Sequence, residues 1–287
     1  MASDPISGLG GATGGGPNRR IALLIDADNV SHAKIGVMLA ELSKYGTANI
    51  RRAYGDWGSD GMRGWKGKLL DFAIRPIQQI NYSAGKNATD IALVIDAMEL
   101  LYTQKLDAFC IASSDADFTP LAMQLRANGH DVYGFGERKT PDPFVNACTT
   151  FLYLDSLEDG ADAKPAKSSK ARPAARTGKA AASAKPDDAA PPAKDGPDKP
   201  IRPIDDKLVM VLRGAVEAAS RDDGWAVLAL AGSHAKRQAP IDPRNYGVKN
   251  FPKLFEATGL FDIVRGDDNQ NYIAFMADRD RAPKPGR

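Results

Sequence analysis

Two continuous apolar runs in the first half of the chain end in acidic residues. Residues 21–25 are entirely apolar and lead into Asp26, and the run at 107–112, which is apolar from Ala108 on, leads into a polar stretch that contains Asp115 and Asp117. Continuous apolar runs of this length are typical of strands that are buried on both faces in a parallel sheet. The pattern therefore places three carboxylates at the carboxyl ends of strands, where ligands of open α/β sheets bind.

Helical patterns alternate with these runs. Ile35, Leu39 and Leu42 share one helical face, and a longer stripe over residues 91–101 follows Thr89, which we expect to be an N-cap. Further strands are expected at about residues 49–54, 72–77, 131–135 and 151–154. Strands that alternate with helices predict an α/β fold with a doubly wound parallel sheet.

The composition changes after about residue 157. Residues 158–200 are rich in Ala, Lys and Pro and contain no bulky apolar side chain, so we expect a disordered linker. Helical stripes return at 208–216, 225–231 and 250–258, and two predicted strands at 261–264 and 271–275 flank a polar turn. Three helices and a hairpin predict a small winged-helix domain at residues 201–277. Residues 19–157 form the first predicted domain, with flexible ends at 1–18 and 278–287.

Two segments mix aromatic rings with cations. In the glycine-rich segment 55–68, Trp57, Arg63, Trp65 and Lys66 suit stacked bases and phosphates. An alternative of equal weight is a solvated loop whose tryptophans anchor it to the core. A second basic and aromatic cluster, of the kind used on nucleic acid, lies between the last two predicted helices and contains Lys236, Arg237, Arg244, Tyr246 and Lys249.

Composition restricts the classes of function. The chain has 287 residues and a net charge of only +2, so any polyanion site has to come from local clustering. Cys110 and Cys148 form neither a zinc-ligand spacing nor a disulfide framework, and we expect buried thiols in a cytoplasmic protein. No apolar run approaches the length of a membrane span, so no membrane partner is expected.

The predicted topology brings acidic side chains from several element ends toward one crevice. They are Asp26, Asp28, Asp90, Asp115 and Asp117. Such a cluster requires protons or cations to offset its repulsion, and oxygen ligands favour Mg²⁺ or Mn²⁺. A carboxylate-bound metal would orient a water for in-line attack on a phosphodiester. The alternative is that the acids only terminate strands or, for Asp90, complement a helix dipole.

The same segments resemble a known family. Residues 25–29 (Ile-Asp-Ala-Asp-Asn), 86–90 (Lys-Asn-Ala-Thr-Asp) and 113–118 (Ser-Ser-Asp-Ala-Asp-Phe) are similar to the three signature segments of NYN domains, LabA-like ribonucleases with a PIN-like fold. The resemblance covers about residues 19–157. Asp28 stands where many members carry glycine or another residue, so the resemblance does not make it a metal ligand.

This resemblance implies a metal-dependent ribonuclease. Its Mg²⁺ or Mn²⁺ ligands would be Asp26, Asp90, Asp115 and Asp117. Asn29 would help to position a water or a phosphate, and Lys86 would contact phosphate. Ser113 and Ser114 are further candidates to hold water or phosphate beside the metal.

The C-terminal segment resembles a LOTUS (OST-HTH) domain, a winged-helix RNA-binding module. Trp225, Gly232 and residues 241–249 carry the likeness, which covers about residues 202–276. The combination implies that RNA is the partner and that it is held by one module and cleaved by the other. A homodimer is left open.

Two other functions compete with the nuclease. One is a non-catalytic RNA-binding scaffold whose acidic pocket does not catalyse a reaction. The other is a haloacid-dehalogenase-like phosphatase, because Asp26-Ala-Asp28 matches a two-aspartate nucleophile motif.

Overall fold

The computed structural model describes residues 18–79, 87–157 and 200–276. Residues 18–157 contain a six-stranded sheet with helices on both faces, and residues 200–276 contain three helices and a three-stranded sheet. The predicted α/β doubly wound fold and the predicted winged-helix domain are both confirmed.

All strands of the large sheet are parallel. They are β1 (Arg20–Asp26), β2 (Thr47–Gly55), β3 (Arg75–Gln78), β4 (Ala108–Ala112), β5 (Asp131–Gly136) and β6 (Thr150–Tyr153). Their order across the sheet is β3-β2-β1-β4-β5-β6. The order reverses between β1 and β4, and the carboxyl ends of these two strands form the crevice where such sheets bind ligands.

Five helices cover the two faces of this sheet. They are α1 (Ile35–Leu42), α2 (Trp65–Asp71), α3 (Ala88–Thr103), α4 (Thr119–Ala127) and α5 (Asp142–Ala147). Side chains from α3, α4 and α5 form the hydrophobic core on one face, and side chains from α1 and α2 form the core on the other. Both predicted core thiols, Cys110 and Cys148, are buried and free.

The segment at residues 55–78 differs from its prediction. Residues Trp65–Asp71 are helical, and the following strand is Arg75–Gln78 rather than 72–77. Gly61, Gly64 and Gly67 weaken the helical signal of this segment in the sequence. The helix is instead stabilised by the burial of Trp65 in the core. The predicted N-cap is also wrong, because α3 begins at Ala88 and Asn87 precedes it.

The C-terminal domain has its helices on a small antiparallel sheet. Its elements are α6 (Asp206–Ala219), β7 (Ala226–Val227), α7 (Leu228–Gln238), α8 (Phe251–Thr258), β8 (Phe261–Arg265) and β9 (Asn271–Phe275). The strand order is β7-β9-β8. Gly259 ends α8 with φ +67°, as a helix C-cap requires. The short strand β7 was not predicted.

Several expectations concern parts of the chain outside the described residues. They are the flexible ends, the linker at 158–200 apart from Pro200, and the phosphate contact of Lys86. Within the described residues, no helix combines the length and apolar character needed to cross a membrane.

Candidate functional site

Asp26 is the most buried acid at the carboxyl edge of the sheet. It is the last residue of β1 and is 1% exposed. Its Oδ2 accepts hydrogen bonds from Asn29 Nδ2 at 2.6 Å and from Ser113 Oγ at 2.8 Å. Its Oδ1 is buried and has no hydrogen-bond partner. A buried carboxylate oxygen without a donor is costly unless a cation or a substrate group completes it.

The residues after β4 continue this arrangement. Ser113 follows the last residue of β4, is fully buried and accepts a hydrogen bond from the backbone N–H of Asp115 at 3.1 Å. The Asp115 carboxylate in turn accepts from the N–H of Asp117 at 2.9 Å, which begins a short 3₁₀ turn. This chain of bonds orders the polar stretch that follows β4.

Asp90 approaches the same edge from the first turn of α3. Just before that helix, Asn87 Nδ2 donates to Asp117 Oδ2 at 3.2 Å, which connects the start of α3 to the loop after β4. Burial, and after it the charges of four other aspartates, together raise the pKa of Asp90 to about 6; these aspartates are Asp26, Asp115, Asp117 and Asp28. The other four predicted acids are therefore close enough to Asp90 to repel its charge.

The pKa of Asp26 is also raised. Burial is the main cause, and the negative charge of Asp28 adds to it, while the hydrogen bonds from Asn29 and Ser113 act in the opposite direction. Two carboxylates whose pKa values are raised by burial and by neighbouring negative charges lie at one edge of the sheet, a combination that is typical of functional sites.

The donor set suits a hard divalent cation, although the side chains do not converge on one point. Across residues 18–79, 87–157 and 200–276, no group of three or more His, Cys, Asp and Glu side chains is arranged to hold a metal. The unpartnered Oδ1 of Asp26 and the mutual repulsion felt by Asp90 are nevertheless the features that a bound Mg²⁺ or Mn²⁺ would relieve.

Ser114 and the aromatic segment 55–68 have structural contacts. Ser114 is buried and accepts a hydrogen bond from the N–H of Glu137 at 2.8 Å. Trp65 is only 2% exposed, so the expectation that its ring stacks on RNA bases is corrected to a core anchor. Trp57 packs edge-on against Trp65, and its indole N–H donates to the carbonyl of Ile77 at 2.9 Å.

The cations of this segment lie on the surface. Arg63 and Lys66 are exposed, and Arg63 pairs with Asp60 at 2.8 Å. Such an exposed ion pair is weak and leaves the side chain able to contact other groups.

The second predicted cluster divides into two parts. Lys236, Arg237 and Lys249 are exposed. Arg244 instead forms ion pairs with Glu41 at 2.5 Å and with Asp242 at 2.9 Å, which removes its charge from the basic cluster. The predicted RNA role of Arg244 is therefore corrected, while Tyr246 is partly buried beside Arg202 and its RNA role stays a prediction.

A groove of about 490 Å³ lies beside the exposed part of this cluster, between α7, the start of α8 and the turn before β9. Phe251 and Leu228 contribute to its apolar floor, and Lys236 lies on its rim with Nζ 5.6 Å from the centre of the Phe251 ring. Its lining residues include no carboxylate. Gly232 keeps the floor open, since a side chain there would contact Phe251.

Sequence reasoning missed two residues that organise these surfaces. Asn87 was not singled out, although its place immediately before α3 and beside Asp90 is visible in the sequence. Asn245 was quoted only within a motif, and its side chain contacts β6 of the other domain. No sequence signal indicates that contact, because it depends on how the two domains pack.

One curated protein is similar to part of this chain. An uncharacterized protein of Methanocaldococcus jannaschii, MJ0482, is 30% identical over 122 residues, which are 41% of this chain and 47% of that protein. The chain thus spans about half the length of this curated relative.

Two solved structures are similar over parts of the chain. A protein of unknown function from Vibrio parahaemolyticus, VPA0982, is 17% identical with a TM-score of 0.41, over 48% of this chain and 93% of that one. An uncharacterized protein from Nitrosomonas europaea, locus NE0665, is 26% identical with a TM-score of 0.24, over 32% of this chain and 90% of that one. At these TM-scores, neither structure bears on the fold or the activity.

Two domain families match the chain in sequence. The NYN domain matches residues 20–155, and the OST-HTH/LOTUS domain matches residues 199–273. The first family belongs to a nuclease superfamily and the second suggests RNA binding, so together they support a nuclease or RNA-binding role. The chain therefore carries an NYN domain of PIN-like fold followed by an OST-HTH/LOTUS domain.

Proposed function

We propose that the protein is a metal-dependent ribonuclease that hydrolyses RNA phosphodiester bonds at the carboxyl ends of β1 and β4. The observation that carries this proposal is the buried, unpartnered Oδ1 of Asp26 beside Asp90, whose pKa is raised to about 6. A structural role for the acids would leave no reason to keep an uncompensated carboxylate oxygen in the interior.

The residues of this chain would act mainly by positioning. Asn29 and Ser113 fix the carboxylate of Asp26 through Oδ2 and leave Oδ1 directed to other ligands. The neighbouring carboxylates, Asp90, Asp115 and Asp117, would complete the ligand set. Mg²⁺ or Mn²⁺ would supply Lewis acidity and a lowered pKa for a bound water. Asn87, through its bond to Asp117, would keep α3 and the loop after β4 at a fixed separation.

The winged-helix domain would bind RNA through the groove between α7 and α8. Phe251 offers an aromatic face to a base, and Lys236 and Arg237 offer positive charge to phosphates. Because no carboxylate lines the groove, the phosphates of the RNA backbone are not repelled there. Lys249 lies two residues before Phe251 and adds a further exposed cation.

The experiment is incubation of the full-length protein with end-labelled single-stranded RNA in Mg²⁺, Mn²⁺ or EDTA. Cleavage should require metal and should be lost in Asp115→Asn while RNA binding remains. Asp71→Asn is the matched control, because Asp71 is exposed at the end of α2. Binding without cleavage in every metal would refute the nuclease and establish the scaffold. Hydrolysis of a small phosphoester lost in Asp26→Asn would instead favour the phosphatase.

A further inference from the structure

The segment between α7 and α8 is docked on the edge strand of the NYN sheet. Asn245 is 2% exposed, its Nδ2 donates to the carbonyl of Phe151 at 2.9 Å, and its Oδ1 accepts from the N–H of Tyr153 at 3.4 Å. The side-chain amide thus takes the place of a neighbouring strand along β6, which is the last strand of the sheet. It satisfies backbone groups that an uncovered edge would expose.

Ion pairs reinforce the docking on both sides of Asn245. Arg244 NH1 lies 2.5 Å from Glu41 Oε2 on α1, and both Nε and NH2 of Arg244 donate to the Asp242 carboxylate at 2.9 Å. Arg202 pairs with Asp142 at the start of α5, and its Nε donates to the hydroxyl of Tyr153 at 3.0 Å. The Arg244–Glu41 pair is partly buried and is therefore less screened than an exposed pair, whereas the carboxylate of Asp142 is exposed.

The strand register gives the distance of this docking point from the acids. Ala112 at the end of β4 pairs with Phe135, and Phe135 pairs with Leu152 on β6. Asn245 contacts the residues on either side of Leu152. Since neighbouring strands lie about 4.8 Å apart, Asn245 is held roughly 15 Å across the sheet from the end of β4.

The docked segment also connects the two helices that form the RNA groove. Helix α7 ends at Gln238 and α8 begins at Phe251, with Asn245 between them in a 3₁₀ turn, Pro243–Tyr246. Groove residues Lys236 and Phe251 flank this connection. Anchoring the connection to β6 therefore fixes the groove relative to the acidic edge.

We propose that Asn245 and Arg244 are positioning residues that set where the RNA is cut. A strand held in the groove would present one internucleotide bond to Asp26 and Asp90, at a constant number of nucleotides from the bound site. This inference rests on the proposed function. A freely tethered module would instead deliver the strand at many distances and produce scattered cuts.

The docking is tested first without any activity. The native cysteines are buried, so spin labels can be placed at Met123→Cys and Leu230→Cys, which replace side chains that are 61% and 52% exposed. Pulsed dipolar spectroscopy should give one narrow distance distribution that broadens in Asn245→Ala. Glu41→Gln weakens the same interface from the other domain and should broaden it too, even if Asn245→Ala folds poorly. A broad distribution in the parent, or an unchanged narrow one in both variants, overturns the docking.

The cutting position is tested on 5′-labelled single-stranded RNA that contains one preferred binding sequence. The parent should produce a single dominant product length, and Asn245→Ala and Glu41→Gln should lose that dominance while total turnover is kept. Lys253→Ala is the control, because it breaks an exposed pair with Glu256 within α8. Identical product lengths in parent and variants contradict the positioning role. Absence of cleavage by the parent refutes the nuclease function and the cutting register together, while the distance measurement decides the docking on its own.

Discussion

The hydroxyl of Ser113 donates a 2.8 Å hydrogen bond to Oδ2 of Asp26, which joins the ends of β1 and β4 at the point where the strand order reverses. Both groups are buried, so the bond is protected from water. It occupies one carboxylate oxygen and leaves the other without a partner. The interior end of the acidic crevice is thus oriented before any ligand arrives.

Replacement of Asp26 by Asn should abolish cleavage and keep the fold. The amide retains the size of the side chain but loses the charge at the unpartnered oxygen. We expect RNA cleavage to fall by at least about 100-fold, equivalent to about 3 kcal/mol of transition-state stabilisation. Initial rates at saturating Mn²⁺ measure the effect, with circular dichroism as the test of folding.

Ser113→Ala is the companion variant for this measurement. It removes one donor to Asp26 Oδ2 and leaves the bond from Asn29. Its loss of rate should be smaller than that of Asp26→Asn. Equal activity of Asp26→Asn and the parent would exclude Asp26 from the reaction.

Replacement of Asp90 by Asn should stabilise the metal-free protein at neutral pH. The folded pKa of about 6 lies above the ordinary value of 3.8, so ionisation of Asp90 opposes folding. Stability is therefore lost as pH rises through the interval from about 4 to 6, and the variant lacks this loss. Discounted for solvent exposure, the gain at pH 8 should be about 1 kcal/mol.

Urea denaturation in EDTA at pH 8 and at pH 4 measures this difference. The gain should be much smaller at pH 4, where Asp90 is protonated in the folded state and only partly ionised in the unfolded state. Added Mg²⁺ should stabilise the parent more than the variant. A variant that is less stable than the parent at pH 8 would contradict the repulsion inferred at this site.

Replacement of Gly134 by Ala should destabilise the sheet. A Cβ at this position of β5 would lie 2.3 Å from Phe151 Cδ2 and 2.8 Å from Cys148 Sγ, within a packed core. Overpacking of this kind costs about 1–3 kcal/mol. Gly67→Ala is the matched control, since Gly67 lies in α2 with nothing within 4 Å of its added Cβ. Its expected effect is a gain of about 0.5 kcal/mol, and thermal unfolding of both variants tests the pair.

Replacement of Lys236 by Ala should lower the affinity for RNA. It should also make that affinity less dependent on salt concentration. One fewer phosphate contact should lower the slope of log affinity against log salt by about 0.7 for a single strand. Lys207→Ala removes an equally exposed lysine from α6, away from the groove, and should leave the slope unchanged. Fluorescence anisotropy over a series of salt concentrations makes the comparison. Equal slopes for the two variants would exclude the groove as the RNA surface.

The strand ends that carry the acids could be predicted because their signals are local. Residues 21–25 and 108–112 are continuous apolar runs that stop at polar residues, and a parallel sheet brings such ends to one edge. The sequence also indicated the hairpin of the second domain, since turn chemistry is local too. These elements required no knowledge of packing between domains.

The remaining errors concern burial and pairing, which depend on distant residues. The pattern of Trp65 beside lysines is the same whether the ring faces solvent or the core, and only the packing of α2 on the sheet decides between them. Arg244 lies among cations in the sequence, yet Glu41 neutralises it from the other domain. No local pattern distinguishes a free arginine from a paired one.

Because Asn245 is docked on β6, the distance between the two domains does not depend on the length of the segment that connects them. Its backbone carbonyl accepts hydrogen bonds from Ile201 and Arg202, at 2.9 and 2.8 Å, and its side chain contacts Tyr153, four residues before Leu157. The chain therefore leaves the first domain and enters the second beside the same strand. Each doubling of a loop adds only about 0.6 kcal/mol to the cost of closing it, so a longer or shorter connection between the domains would change the free energy of this docking little. The sequence between the domains is free to evolve while the geometry that relates them stays constant.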